Sequence, residues 1–417
     1  MNESHKVILQ VKNHAFTVSI DLKTIYSFDR KGRLIGAYVE GINYRRGFGN
    51  QVLRKWSQYD NGVRKRQRRL LTVRERQFFF WQMTEALRDI RENPEPYDIE
   101  IPRDVQTAYQ WLQRSFDFDY GALEQDAERY HQIYKPVTIL PPDQYYALVL
   151  QITEGCSYNK CTFCNFYQDR PFRIKSPDEL DTHIKEVREF FGESLGLRQS
   201  LFLADANALI MPQKRLLTML DRINKSFYIL PDPDQRERLL SKRRQGEAAF
   251  DGIYSFIDLF TGEYKSEAQF REMADRGVRR AYIGMESGSK KLLEFLNKPG
   301  SKPELVDAVN KVKAGGVNVG VIVLIGAGGV QYQDVHVAET IDALNQMELQ
   351  RDDFIYFSDF YPQTDTPYQL VADSESVEAL NYQELRTQEN QIRNGIRYSG
   401  TGDSPKLTSY DIREFLY

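Results

Sequence analysis

Short runs rich in Val, Ile, Phe and Tyr, divided by polar stretches, open the chain: residues 7–11, 16–20, 24–28 and 34–39. The last two are joined by Asp29-Arg30-Lys31-Gly32-Arg33, a polar turn holding a glycine, which predicts a β-hairpin. The pattern then lengthens. Thr72 and Glu75 form a capping box ahead of 78–87, which predicts a helix that Asn93-Pro94-Glu95-Pro96 stops. A second helical stretch over 104–134 leads to a proline-rich linker at Leu140-Pro141-Pro142. Beyond it strands and helices alternate, the rhythm of a parallel sheet with helical crossovers. Strands are expected over 147–153, 200–203, 252–256, 280–285, 318–325 and 354–360, several of them near-continuous apolar runs as sheets buried on both faces require. Helices are expected over 177–191, 213–224, 266–276, 289–297, 303–314, 335–348 and 382–396. The fold class that follows is α/β: a partial, TIM-like (β/α)6 barrel core at 136–375, an N-terminal α+β accessory domain at 1–135 and a short helical C-terminal extension at 376–417.

A chain of 417 residues exceeds one ordinary domain and is ample for a large core. Its 41% hydrophobic content, 28% charge and net charge of −3 describe a folded protein rather than a disordered one. No apolar run reaches the length of a membrane span, and the first residues lack the pattern of a signal peptide, so a cytoplasmic protein is expected. Charge is uneven: residues 1–93 carry 19 Lys and Arg against 9 Asp and Glu, whereas 136–417 carry 33 against 41. The densest basic stretch, 64–76, holds Arg64, Lys65, Arg66, Arg68, Arg69, Arg74 and Arg76, and leaves a nucleic-acid partner open beside a plain solvated face. Phe78-Phe79-Phe80-Trp81 follows it; its rings could stack bases, but at consecutive positions some must face the core, which is the favoured reading.

The chemistry concentrates elsewhere. All three cysteines of the chain fall within nine residues, Cys156, Cys161 and Cys164, directly after the first strand of the expected barrel. Unspecialised thiols have no reason to cluster, whereas a shared metal gives them one. A structural zinc site would need a fourth ligand from a distance, such as His131 or His183. An iron-sulfur cluster on three thiolates leaves one iron open. The loop also lies where active sites on such barrels are built, at the C-terminal end of a strand.

With these residues in place, residues 145–370 resemble the radical S-adenosylmethionine (SAM) superfamily, although the spacing C-x4-C-x2-C is one residue longer than that family's usual C-x3-C-x2-C. The resemblance implies a [4Fe-4S] cluster on Cys156, Cys161 and Cys164, with SAM chelating the open iron. It places Phe163 near the adenine and assigns the methionine amino group to Asp205 or Asn207 in Leu203-Ala204-Asp205-Ala206-Asn207, where the family's glycine-rich segment would stand. Gly284-Met285-Glu286-Ser287-Gly288 is similar to a segment of elongator-like and methylthiotransferase-like members, with Glu286 toward the ribose and Ser287 and Gly288 opening a helix that favours an anion. Leu324 and Gly326 match the adenine-flanking fifth strand. The activity implied is reductive cleavage of SAM to a 5′-deoxyadenosyl radical that abstracts hydrogen from a substrate the sequence does not name, with an electron donor of flavodoxin or ferredoxin type. No cysteine remains for a second cluster. Asp334-Val335-His336 is a weak likeness to a cobalamin-binding Asp-x-His motif, and the glycine that should follow is absent. The competing readings are a nucleic-acid-binding protein with a structural metal site and a radical SAM enzyme that modifies RNA.

Overall fold

The structure is a computed structural model and describes residues 4–60, 63–258, 264–363, 365–397 and 404–417. The chain divides into two compact units: the first comprises 1–140, 185–198 and 413–417, the second 141–184 and 199–412.

The first unit is built on an eight-stranded sheet. Strands β1 (His5–Val11), β2 (Ala15–Ile20), β3 (Thr24–Asp29), β4 (Leu34–Val39), β5 (Ile42–Arg46), β6 (Val52–Asp60) and β7 (Val63–Leu70) run as an antiparallel meander, and β8 (Tyr97–Glu100) lies parallel to β1. Alternation along the strands delivers Val7, Leu9, Phe16, Val18, Tyr26 and Phe28 to one apolar core. Helices α1 (Val73–Glu92), α2 (Val105–Asp117) and α3 (Tyr120–Ile133) close it, α1 contributing Phe79, Phe80, Met83, Leu87 and Ile90. The capping box is present, Thr72 accepting from Glu75 N–H and Glu75 from Thr72 N–H. One expectation needs correction. The single stretch 104–134 is two helices, because the Asp119 carboxylate caps a new one by accepting from Ala122 N–H. The aromatic run divides: Phe79 and Phe80 enter the core, while Phe78 and Trp81 face outward.

The second unit carries a seven-stranded, all-parallel sheet of β9 (Leu148–Gln151), β12 (Leu201–Ala204), β15 (Ile253–Phe256), β16 (Val278–Glu286), β17 (Asn318–Ile325), β18 (Phe354–Asp359) and β19 (Lys406–Tyr410), paired in that order. Short pairs β10 (Thr153–Glu154) with β11 (Arg173–Ile174), and β13 (Tyr228–Ile229) with β14 (Ala249–Phe250), stand apart from it. Helices α4 (Pro177–Phe191), α5 (Gln213–Ser226), α6 (Arg236–Arg244), α7 (Glu267–Ala274), α8 (Lys290–Phe295), α9 (Lys302–Ala314), α10 (Gly329–Gln346), α11 (Tyr368–Ser374) and α12 (Tyr382–Gly395) follow the strands, α4 crossing from one unit to the other along the chain. Six parallel strands fall where the apolar runs predict them. The seventh, β19, corrects the purely helical extension: it is an edge strand paired only with β18, so Lys406-Leu407-Thr408-Ser409-Tyr410 needs no continuous apolar run. Phe202, Phe256, Tyr282, Tyr356 and Tyr410 stack edge to face and tilted in succession along the sheet. Asp143, just ahead of β9, accepts from Tyr282 Oη at 2.5 Å, Tyr356 Oη at 2.6 Å and Arg280 Nη1 at 2.9 Å, and so joins the N-terminal halves of β16 and β18.

Candidate functional site

The cysteines lie on the loop between β10 and β11, and that loop is fixed at its base. Thr153 pairs with Ile174 and Glu154 with Arg173 in the two-residue ladder, and Arg173 Nη2 reaches Glu154 Oε1 at 2.7 Å. Gly155 turns the chain at φ +75°, where a Cβ would stand 2.8 Å from the Pro171 carbonyl oxygen, so only glycine fits. At the end of β12 the buried Asp205 carboxylate accepts from Gly155 N–H at 2.9 Å, Gln151 Nε2 at 2.8 Å and Arg170 Nε at 3.0 Å. One carboxylate thus holds both the entry and the exit of the loop. Burial pushes Asp205 up, against the Arg170 guanidinium, and Arg170 is itself buried beside it.

The tip is pinned from other elements. Thr162 N–H donates to Leu296 O at the end of α8, and Tyr368 N–H at the start of α11 donates to Thr162 O. Asn297 Nδ2 donates to Lys160 O at 2.7 Å. Asn207 Nδ2 donates to Ser157 Oγ at 2.7 Å and lies 3.9 Å from Cys156 Sγ. At the end of β16, Glu286 Oε1 pairs with Lys298 Nζ at 2.9 Å, both largely buried. Lys298 and Glu286 act electrostatically on Cys161 and Cys164. Burial pushes the Cys161 thiol up to about 12, with Lys298 opposing, and the Cys164 thiol up to about 11, with the Phe166 backbone opposing.

The donor set fits a three-thiolate cluster: the three cysteines are free of disulfides, half-buried and on one loop, Cys161 feels both Cys156 and Cys164 electrostatically, and Cys164 feels Cys156. Among the described residues no group of three or more His, Cys, Asp and Glu stands arranged to hold a metal ion. His183 offers zinc no spare ligand, because its Nε2 accepts from Gln151 N–H in the core and burial lowers it to about 3.

The other residues singled out from the sequence separate into two groups. Phe163 and Leu324 pack against one apolar cluster, with Leu292, Phe295, Leu296, Ala327, Tyr332, Tyr368 and Ala372, and Phe163 meets Phe360 edge-on. Phe163 itself lies on the cysteine loop, Asn207 reaches Cys156, and Glu286 acts electrostatically on Cys161 and Cys164. Ser287 and Gly326 point elsewhere. Ser287 Oγ is 2.8 Å from His336 Nδ1 and takes Ser289 N–H, while Gly288 N–H is taken by Thr340 Oγ1 at 3.0 Å. That leaves neither group free for an anion. Gly326 N–H donates to Gln388 Oε1 on α12 at 2.7 Å. His336, fully buried on α10, is a packing residue of this network rather than an open ligand for cobalamin. Arg170 and Lys298 were not singled out from the sequence; isolated cations 6 and 134 residues from the last cysteine carry no motif, and only their burial beside carboxylates marks them.

Residues 150–341 match the model of the Radical SAM superfamily. The chain therefore carries a radical SAM superfamily domain over a little under half of its length. Members of this superfamily bind a [4Fe-4S] cluster and SAM. Among curated proteins, 4′-phospho-dehydrooxetanocin synthase of Priestia megaterium is 25% identical over 186 residues, 42% of this chain and 22% of that protein, so the chain spans about a fifth of that relative's length. Among solved structures, SuiB of Streptococcus suis bound to S-adenosylmethionine overlaps 89% of this chain and 72% of its own at 9% identity and a TM-score of 0.41. The radical SAM methyltransferase TsrM of Kitasatospora setae overlaps 58% of this chain and 44% of its own at 13% identity and a TM-score of 0.37.

Proposed function

We propose that this protein reductively cleaves SAM at a [4Fe-4S] cluster held by Cys156, Cys161 and Cys164 and uses the resulting radical to take a hydrogen atom from its substrate. The observation that carries the reading is the single fastened loop: every cysteine of the chain sits between ends that Asp205 holds together, at the C-terminal edge of a parallel sheet. When bound, the cluster supplies the electron and the site at which SAM is chelated.

The chain's own residues supply position and seclusion. Asn207, beside Cys156, faces the loop with an amide whose oxygen can accept from an ammonium, whereas the Asp205 carboxylate already has three donors. Of the two acceptors the sequence offers for the methionine amino group, Asn207 is therefore favoured. Phe163 and Leu324 supply an apolar wall suited to an adenine, and Glu286 an oxygen for ribose hydroxyls, held in place by Lys298. The electron comes from a carrier of flavodoxin or ferredoxin type. Among the described residues no helix is long and apolar enough to cross a membrane.

The test is anaerobic reconstitution with iron and sulfide, followed by SAM and dithionite. Iron and sulfide in a four-to-four ratio and release of 5′-deoxyadenosine are expected, and both should vanish when the three cysteines are replaced together by Ala. A triple variant that retains iron, sulfide and cleavage refutes the assignment. A radical SAM enzyme that modifies RNA is the second reading, and the basic strand of the first unit favours it.

A further inference from the structure

Cys161 is held from both sides by the end of α8. Leu296 O accepts from Thr162 N–H at 3.0 Å and Asn297 Nδ2 donates to Lys160 O at 2.7 Å, so the two residues flanking this cysteine are tied to consecutive residues of another element. Tyr158 Oη adds a third tie, donating to Asn297 Oδ1 at 3.2 Å. The next residue is Lys298, whose Nζ meets Glu286 Oε1 at 2.9 Å, the two side chains only 16% and 10% exposed. The backbone is bent to bring these groups together. Asn159 on the cysteine loop, Asn297 after α8 and Glu286 at the end of β16 stand at φ +49°, +47° and +59°, in the left-handed region that residues other than glycine enter at a cost. Such strain persists where the surroundings over-determine it, and it gathers at functional sites.

The ion pair lies unevenly against the thiols. Of its two charges, Lys298 acts more strongly on Cys161 and Glu286 more strongly on Cys164, so the cation is the end presented to Cys161. Asp258, just after β15, also acts on Lys298. The plainer explanation is a pair that ties β16 to α8. Yet a buried ion pair is seldom worth more to stability than apolar side chains of the same size, and a tie of that kind has no need to lie against the cysteines. Thr162 carries a second sign of what belongs there. Its N–H and carbonyl are both bound, whereas its hydroxyl, on a residue 8% exposed, has no hydrogen-bond partner among the described residues. A sulfur acceptor beside Cys161 would satisfy it.

We propose that Lys298, set beside Cys161 by the ties of Leu296 and Asn297, raises the reduction potential of the cluster, and that the Glu286 carboxylate restrains the effect; this rests on the reading of the cysteine loop as a [4Fe-4S] site. An electron that arrives there enters a buried position already made negative by three thiolates, and the potential of such a cluster follows the net charge and hydrogen bonds around it. A fixed cation therefore favours the reduced form over the oxidised one. At an effective dielectric of about 20, a unit charge shifts a one-electron equilibrium about tenfold from ~12 Å away, and more when closer. In the step itself the flavodoxin- or ferredoxin-type carrier loses one electron and the cluster gains it; no bond changes, and Lys298 keeps its proton.

The experiment is a potentiometric titration of the anaerobically reconstituted full-length protein, followed by the EPR signal of the reduced cluster. SAM is left out, so that the part given to Glu286 in ribose binding does not enter. Lys298→Gln removes the charge while keeping a donor for Glu286, and should lower the reduction equilibrium about tenfold, roughly 59 mV for one electron. Glu286→Gln should move the potential the opposite way, and Lys298→Arg should leave it near the wild-type value. Opposite signs for the two neutralised partners are the signature, because a pair that only ties β16 to α8 predicts lost stability and iron in both variants with no ordered shift. Should Lys298→Gln take up too little iron to titrate, Glu286→Gln decides: a raised potential supports the role and an unchanged one overturns it. Equal potentials in all loaded variants overturn the role of Lys298 and leave the cluster standing, whereas a wild-type protein that binds no iron and sulfide overturns both.

Discussion

Replacing Asp205 with Ala tests the idea that one carboxylate fastens the cysteine loop. The change strips three donors of their acceptor: Gly155 N–H, the Gln151 amide and Arg170 Nε. Most of the cost comes from Arg170, whose side chain is 6% exposed and would stay charged where it is. Removing one partner of a buried pair costs about 3–5 kcal/mol. Arg170 keeps Asp169 at 2.7 Å, but that carboxylate is half-exposed and recovers only part, which sets the loss from the ion pair near 3 kcal/mol. Each neutral donor left without its acceptor adds about 1 kcal/mol or more, with relaxation making the sum less than additive. A total near 4 kcal/mol is a large share of the roughly 5–15 kcal/mol that holds a domain folded. Urea denaturation of the anaerobic protein measures it, and iron content after reconstitution reports whether the loop still closes. Adding Arg170→Met to Asp205→Ala should recover some 1–3 kcal/mol, because the orphaned charge goes with it. If the single variant loses less than about 1 kcal/mol and loads iron normally, Asp205 does not fasten the loop.

Gly155→Ala should cost at least the ~1–2 kcal/mol of a left-handed residue, plus the clash with Pro171 O, and should lower iron loading more than the same change at the open Gly246, which meets nothing within 4 Å. Glu286→Ala should destabilise the protein by about 3 kcal/mol through the buried Lys298 and also weaken SAM binding; Glu286→Ala with Lys298→Met separates the two, restoring stability by calorimetry but not affinity by equilibrium dialysis. Burial lowers His183 to about 3 and His336 to about 4, so below their unfolded value near 6.5 the unfolded chain binds more protons and stability falls with pH, each by up to ~1.4 kcal/mol per unit until the folded value is reached. Asp251, pushed up to about 6, works in the opposite sense between its unfolded value and 6, so the contributions are read by difference: His336→Gln should lessen the slope of unfolding free energy between pH 5 and 6 by one proton, and an unchanged slope would contradict a buried neutral ring.

The parallel strands of the second unit were legible because burial on both faces writes itself as continuous apolar sequence, as in Val319-Gly320-Val321-Ile322-Val323. Strand β19 was not, since an edge strand with one partner carries no such run. Strands β6 and β7 were hidden for a different reason: their positions are filled by Arg, Lys and Gln, and nothing in Val63-Arg64-Lys65-Arg66-Gln67-Arg68 speaks of a strand until its partner is known. In the site, the cysteines announced themselves by crowding. What holds them did not, because Asp205 meets Gly155 and Arg170 across 50 and 35 residues, a pairing set by the sheet rather than by local pattern. Ser287 and Gly326 matched a motif yet are drawn into contacts with His336 and Gln388, for a match in sequence says nothing of which way a group is turned.

The fastening at Gly155 and Arg170 also bears on the length of what lies between. A loop whose two ends are held by the same carboxylate tolerates a changed number of residues at small entropic cost, growing only with the logarithm of its length. The additional residue between Cys156 and Cys161 can therefore be absorbed inside the loop without moving β9, β12 or the helix that follows. Spacing among these cysteines is then a property of the insert, open to drift or redesign, while the frame that presents it stays as it is.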